Sequence, residues 1–369
     1  MEKILETVLF DLDGTLLDTL EDLARAVDFA LDKRGLPGHT LQEYRQMVGH
    51  GVRNLVARAL PEPLRADDTQ IDSCLQDFKA YYTSHIDVHT RPYPGMKELL
   101  SQLCARGVQL AIVSNKFQEG TEHLIREFFP GIPFAAILGN REGYPLKPDP
   151  EIVGEVLRKT GSHLDKTVLV GDSPTDMLTA ANGGIRGIAV QWGYRPMTAN
   201  PQYSVVASAE ELEALLSPIR RASKADLPAV NTLLREVLAV HHTGRPDLFK
   251  AIGKKYSDEE LISIFSSDET PVFVYDDGQV LGYVFCAFQH AHSGSLCPVS
   301  TLYIDDLCVS EHARGKGIGK RLFLYAKALA RSRGCHNLTL HAWSCNPAAL
   351  TFYTHLGLKP QYTALETVL

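Results

Sequence analysis

The sequence predicts an α/β protein of two domains: a parallel sheet interrupted by a helical cap, followed by a second, mixed α/β domain. Three observations carry this. Apolar runs at residues 4–10, 108–113, 134–138 and 167–170 are bounded by Gly or Pro and separated by helical patterns, the alternation a parallel α/β sheet requires. A helical segment at about residues 19–93 lies between the first run and the second. Near residue 219 the strand-then-helix pattern begins afresh, and 369 residues suit about two domains.

The cap segment opens with Leu20, Leu23, Ala24, Val27 and Leu31, one stripe of a helix. Thr40 and Glu43 fit a capping box that starts a second helix. An insertion directly after the first strand falls over the carboxyl ends of the strands, where open α/β sheets bind ligands. Lids in that place exclude water and select substrate. After strands at 187–191 and 203–207, a helix opened by Ser208 with Glu211 closes the first domain, expected to span residues 1–217 with the cap at about 19–93. The second domain, 218–369, follows a short join and begins with a strand at 219–222 and a helix at 226–240.

Composition narrows the function. The chain is 44% hydrophobic and 22% charged, near the globular average. Its net charge of −7 divides unevenly: residues 219–369 carry 16 Lys+Arg against 14 Asp+Glu, and the remainder 21 against 30. Neither part is basic enough to suggest nucleic acid as a partner. No apolar run reaches the roughly 18 residues of a membrane span, and residues 1–10 lack a signal-peptide pattern. The 7 cysteines are odd in number and contain no C-x-x-C pair, which argues for a reducing, cytoplasmic setting.

The polar residues directly after the first-domain strands carry chemistry. The first run ends in Asp11, Asp13, Gly14, Thr15 and Asp18; the second in Ser114, Asn115 and Lys116; Lys147 follows the third; the fourth ends at Asp172 and Asp176. Two carboxylates two residues apart are costly to bury together unless a cation neutralises them. A hard divalent ion with oxygen ligands does so, and Mg²⁺ suits a site that also holds phosphate. Asp18 reads as a helix cap.

These four motifs, in order and at strand ends, resemble those of the haloacid dehalogenase superfamily over residues 1 to about 217, a Rossmann-like sheet with an inserted cap. The resemblance implies a phosphatase. Asp11 would be the nucleophile and form an aspartyl-phosphate. Asp13 would protonate the leaving oxygen and then activate water. Mg²⁺ would be held by Asp11, the carbonyl of Asp13 and Asp172, with Asp176 in support. Ser114, Asn115 and Lys147 would bind the phosphoryl group. The cap stretch at 48–60 and the triplet Ser114-Asn115-Lys116 are most similar to phosphoglycolate phosphatases. That similarity would place His50 and Arg53 near a small phosphate ester.

The second domain has its own signature. The apolar strand at 301–309 leads into Arg314-Gly315-Lys316-Gly317-Ile318-Gly319-Lys320 at the start of a helix. Glycines let backbone N–H groups approach a ligand, and a helix N-terminus favours an anion. The spacing is neither Walker nor dinucleotide-binding. Asn346-Pro347 has cap and first-turn order, and Tyr353 follows seven residues after Asn346.

This pattern resembles the GCN5-related N-acetyltransferases over about 219–369. The resemblance implies acetyl-CoA as co-substrate. Amides from Arg314 to Lys320 would hold its pyrophosphate, and Leu307, Val309 and Asn346 its pantetheine arm. Tyr353 would protonate the departing thiolate. The acceptor would be a primary amine, with His241 to Phe249 on its side. Asp305 or Asp306 could accept the amine proton, or both could be ordinary strand residues. Neighbours on a strand face opposite ways, so at most one should point into the cleft. His290 and His292 read as loop histidines.

The expected protein is thus bifunctional, a phosphatase joined to an N-acetyltransferase. The alternative is a phosphatase regulated by a non-catalytic acetyl-CoA-binding domain.

Overall fold

The computed structural model describes residues 5–291 and 297–368. The chain divides into two compact units, Met1–Leu216 with Arg331–Gly334, and Ser217–Ala330 with Cys335–Leu369.

In the first unit β1 (Thr7–Phe10) lies inside a six-stranded sheet. Two short strands follow, β2 (Leu17–Asp18) and β3 (Arg91–Pro92), paired only with each other. The other members of the large sheet are β4 (Gln109–Phe117), β5 (Phe134–Asn140), β6 (Thr167–Gly171), β7 (Arg186–Val190) and β8 (Tyr203–Val206). Their order is β5-β4-β1-β6-β7-β8, and every pairing is parallel. All four residues of β1 are buried. A parallel sheet is covered on both faces, so its inner strands are apolar without alternation. Leu9, Val113, Leu138 and Leu169 share one core cluster with Ile152, Val153 and Val156 of a covering helix.

The cap leaves through β2 and returns through β3, so both of its links to the sheet run in one two-stranded ribbon. It contains α1 (Leu20–Asp32), α2 (Leu41–Met47), α3 (Val52–Ala59) and α4 (Asp68–His85). The stripe predicted for α1 is buried throughout. Each such leucine or valine is worth about 1.5–3 kcal/mol on burial. The Thr40–Glu43 capping box is formed. Asp22 pins α1 to the returning link: its buried carboxylate accepts from the backbone N–H groups of His89 and Thr90 and from the Thr90 hydroxyl, at 2.8–2.9 Å. After the cap come α5 (Met96–Ala105), α6 (Gln118–Phe128), α7 (Glu151–Thr160), α8 (Pro174–Asn182) and α9 (Ala209–Leu215), the last opened by Ser208.

The second unit holds a five-stranded sheet in the order β13-β12-β11-β10-β9. Its strands are β9 (Ile219–Arg221), β10 (Val272–Asp276), β11 (Val280–His290), β12 (Ser300–Val309) and β13 (Asn337–Leu340). Only β12 and β13 run parallel. Its helices are α10 (Leu227–Gly244), α11 (Asp258–Ser266), α12 (Ile318–Ser332) and α13 (Pro347–His355). The β10–β11 hairpin escapes the run-and-break reading. Its sequence signal is the Asp277-Gly278 turn, with Gly278 at φ +82°. His290 ends β11 beside the Ser300 hydroxyl at 2.9 Å; His292 lies outside the described residues. Among the described residues no helix is long and apolar enough to cross a membrane, and the seven cysteines are free thiols.

Candidate active sites

The strand order of the first sheet builds the first site. Because β1 lies between β4 and β6, their carboxyl ends bring Asp11, Ser114 and Asp172 together. Lys147 reaches in from beyond β5. Its ammonium is 2.9 Å from Asp11 and 2.6 Å from Asp176, and donates to the Val113 carbonyl at 2.9 Å. The second oxygen of Asp176 accepts from the backbone and hydroxyl of Ser173, closing the capping box that starts α8. Asp172 accepts the Tyr194 N–H at 2.6 Å. Gly14, at φ +85°, faces Asp172 so closely that a side chain there would displace the carboxylate. Asp13 receives the Thr19 hydroxyl at 2.6 Å and the Lys116 ammonium at 3.2 Å.

Charge in this site is unbalanced. Asp11, Asp172 and Asp176 are all buried, and each presents a carboxylate oxygen within 4.8 Å of the others'. With Asp13 they make four carboxylates against the ammoniums of Lys116 and Lys147. Burial pushes the Asp11 carboxyl up to about 7, against the pull of Lys147 and with added repulsion from Asp176 and Asp13. Asp172 is driven well above the ordinary carboxylate range by burial, then by Asp176 and Asp11. Burial alone would lower Lys147, but Asp11 and Asp176 outweigh it and raise it. The unmet requirement is about two positive charges among oxygen donors, and a divalent hard cation fits it.

The cleft above these groups spans about 630 Å³, open solvent at its mouth included, and is bordered on the cap side by Val48, Gly49, Gly51, Val52 and Leu55. One expectation needs correction. Arg53 does not turn into the cleft; it pairs with Asp68 at 2.6 Å and Asp72 at 3.1 Å on α4, because those carboxylates lie one turn apart on the neighbouring helix. His50 is exposed on the loop before α3. Asn115 is buried and holds Lys147 in place: its amide oxygen accepts the Lys147 N–H at 2.9 Å, and its NH₂ donates to the Lys147 carbonyl at 3.2 Å. Ser114 is 3% exposed and lines the cleft. Asp18 accepts from the Leu20 N–H at 3.3 Å, at the start of α1.

Sequence reasoning missed the loop after β7. Tyr194 and Arg195 line the cleft, and Arg195 donates to the Gln46 and Val48 carbonyls of the cap at 2.8 and 2.7 Å. A Gly-x-Arg at the end of a fifth parallel strand was the available signal. Lys116, 3% exposed, also lines the cleft.

In the second unit β13 covers only part of the β12 edge. These strands pair only over Thr301–Ile304 and Asn337–Leu340, so the β12 edge beyond Ile304, including Leu307 and Val309, has no β13 partner. Gly315 and Gly317 both adopt φ +77°, which turns the chain into α12. The first-turn amides of α12 point out of the helix, as they must at any helix start. Gly319 makes a close approach of a different kind. A Cβ there would lie 3.3 Å from the Phe352 ring. The Arg314 guanidinium donates back to the Val309 carbonyl at 3.2 Å. Asn346 caps α13, accepting the Ala349 N–H at 3.1 Å. Tyr353 is half-buried against Phe352 and Phe323, with ring centroids at 5.1 and 6.4 Å. Burial, reinforced by Asp306 and Cys308, pushes its phenol up to about 12.

The alternation expected for Asp305 and Asp306 fails. Phe285 pairs with Asp306 and Cys286 with Ile304, so Asp305 is an extra residue in a β-bulge. A bulge re-aims side chains, and both carboxylates meet the Lys255 ammonium, at 2.8 and 3.3 Å. Asp306 is the more buried of the two, and that burial raises its carboxyl. In the segment from His241 to Phe249, His242 contacts the Phe249 carbonyl at 2.7 Å, and Phe249 packs edge-on to Trp343.

Comparison with known proteins identifies a family for each part of the chain. Residues 8–190 match the family model described as haloacid dehalogenase-like hydrolase. Residues 237–358 match the acetyltransferase (GNAT) family. The phosphoglycolate phosphatase of Mesorhizobium japonicum is 37% identical over 188 residues, covering 51% of this chain and 83% of that protein. Phosphoglycolate phosphatase 1 of Pseudomonas aeruginosa is 34% identical over 228 residues, covering 60% and 82%. A crystal structure from Lactobacillus delbrueckii subsp. bulgaricus with a provisional phosphoglycolate phosphatase assignment superposes with a TM-score of 0.54 at 33% identity, covering 58% of this chain and 99% of that one. The chain therefore belongs to the haloacid dehalogenase-like hydrolases, and it joins a phosphatase domain of that family to an N-acetyltransferase domain of the GNAT family.

Proposed function

We propose that this enzyme hydrolyses a small phosphate monoester of the phosphoglycolate or sugar-phosphate type through an aspartyl-phosphate on Asp11, and transfers acetyl from acetyl-CoA to a primary amine. The domains would divide at residues 217 and 218. The observation that carries the first activity is the Asp11 carboxylate, 2.9 Å from the Lys147 ammonium and within a cluster of carboxylates that lacks matching positive charge.

Lys147 and Ser114 receive the phosphoryl oxygens, and Asn115 holds Lys147 by its backbone. Asp11 attacks phosphorus as the ester oxygen leaves. Asp13 gives that oxygen its proton and afterwards takes one from the water that cleaves the acyl phosphate. Mg²⁺, held by Asp11, the Asp13 carbonyl and Asp172, would neutralise charge on the transferring group. Asp176 supports the set through Lys147 and Ser173 rather than as a free ligand. Phosphate release from a panel of phosphorylated metabolites, with Mg²⁺ and after chelation, tests this activity. Turnover that survives chelation would reject the metal requirement.

For the second activity, the β12 edge that β13 leaves uncovered and the glycine turn into α12 suit pantetheine and pyrophosphate, and Tyr353 holds the proton for the thiolate. Gly317→Val is expected to weaken acetyl-CoA binding about tenfold or more, since a side chain at φ +77° costs about 1–2 kcal/mol. Calorimetric titration of acetyl-CoA checks this, with phosphatase kinetics as the control.

Both activities on one chain favour a small molecule that bears an amine and a phosphate, such as an amino-sugar phosphate. Phosphatase kcat/KM on matched phosphates with and without an N-acetyl group is expected to differ. Equal values across a broad panel, with acetyl acceptors that carry no phosphate, would reject a shared substrate.

A further inference from the structure

The side chain of Lys116 is 1% exposed, and its ammonium pairs with Asp13 rather than with the Asp11, Asp172 and Asp176 cluster. Its ammonium donates to Asp13 at 3.2 Å (Oδ1) and 3.4 Å (Oδ2), and to the Tyr82 hydroxyl at 2.6 Å. It also sits 4.7 Å from the centroid of the Tyr82 ring. Lys116 belongs to β4 of the sheet, whereas Tyr82 belongs to α4 of the cap. One buried ammonium therefore spans the cap, the sheet and the carboxylate read as the proton carrier.

We propose that Lys116 is a positioning residue that makes proton transfer by Asp13 depend on the cap being closed. The inference rests on the reading of Asp13 as acid and base. Tyr82 is fully buried, stacks on Phe78 at 5.1 Å and meets Phe117 edge-on. Burial, with Asp13 nearby, holds its phenol well above the usual range, so the hydroxyl stays neutral and accepts from Lys116. The pair then fixes the rotamer of Asp13. Oδ1 takes both the Thr19 hydroxyl, at 2.6 Å, and the nearer Lys116 contact. Among the described residues Oδ2 receives only the 3.4 Å contact, so it is the oxygen presented to the leaving group. The cap is tied to the sheet covalently only through β2 and β3. When it swings out, Tyr82 leaves with α4 and the ammonium loses the neighbour that holds it over Oδ1.

The test uses the full chain and two substrates, 2-phosphoglycolate and p-nitrophenyl phosphate. The first needs its leaving oxygen protonated and the second does not. The quantity is kcat/KM, which stops at departure of the leaving group. Lys116→Met is expected to lower kcat/KM on 2-phosphoglycolate about 10²-fold, the low end for a general-acid contribution, and on p-nitrophenyl phosphate less than about threefold. Lys116→Arg should restore most of the loss. Tyr82→Phe should show a smaller loss with the same substrate bias, and Lys116→Met with Tyr82→Phe no more than Lys116→Met alone, because both act through one contact. Equal losses on the two substrates, or additive losses in the double variant, would overturn the proposal. If Lys116→Met fails to fold by circular dichroism, the bias of Tyr82→Phe decides. Asp13→Asn separates the two readings. If it shows no leaving-group bias, the acid role of Asp13 fails; if it does and Lys116→Met does not, only the coupling fails.

Discussion

Asp11→Asn is expected to abolish phosphate release, by about 10⁴-fold or more, and to leave acetyl transfer unchanged. Removing a covalent nucleophile eliminates the pathway rather than slowing one step, which is why such losses are among the largest seen. The amide is nearly isosteric and keeps an oxygen for the Lys147 ammonium, now 2.9 Å from Asp11. Loss of activity should therefore not come from collapse of the site. Thermal melting checks this. Burial raises the Asp11 carboxyl to about 7 in the absence of metal. A raised carboxyl is harmless to the fold below its unfolded value of about 4 and destabilises it as pH climbs through the folded value. Metal-free Asp11→Asn should thus melt at or above the parent protein at pH 8, with the difference shrinking toward pH 4. Phosphate release within tenfold of the parent would dismiss Asp11 as nucleophile. Parallel loss of acetyl transfer would show that the two activities are not independent.

Tyr353→Phe is expected to slow acetyl transfer by about 10²–10⁴-fold, the span of general acid–base contributions, while acetyl-CoA still binds. The phenol is pushed up to about 12 by burial and then by Asp306 and Cys308. At neutral pH the hydroxyl therefore keeps its proton. The phenylalanine ring retains the packing on Phe352 and Phe323, so the cofactor cleft keeps its shape. The measurement is single-turnover acetyl transfer alongside a calorimetric Kd for acetyl-CoA. An unchanged rate with unchanged Kd would assign Tyr353 to packing. A matched rise in Kd would assign it to binding.

Local chemistry made much of this legible. A strand buried on both faces must be apolar throughout, so β1, β4 and β6 stand out as runs, and the polar residues at their ends fall together once the sheet is parallel. The α1 stripe, the Thr40–Glu43 box, the Ser208 cap and the Asn346-Pro347 helix start are each fixed by residues within one or two turns. Glycines at Gly315 and Gly317 declare their φ +77° turn in the same way.

By itself, then, the sequence determined the order of the main strands of the first sheet, the position of the cap, and where the aspartate and lysine motifs fall along the chain, because each depends on backbone geometry and burial within a short segment. Only the tertiary structure decided what depends on distance. It turned Arg53 toward Asp68 and Asp72, two carboxylates one turn apart on a neighbouring helix. It made Asn115 the clasp of Lys147 and joined Lys116 to Tyr82, pairs 32 and 34 residues apart. It aimed both Asp305 and Asp306 at Lys255 by inserting one residue into β12, a bulge that exists only in the pairing with β11. Side-chain partners set by strand register and helix packing leave no periodic trace in the chain, because the two halves of each contact come from segments that meet only after folding.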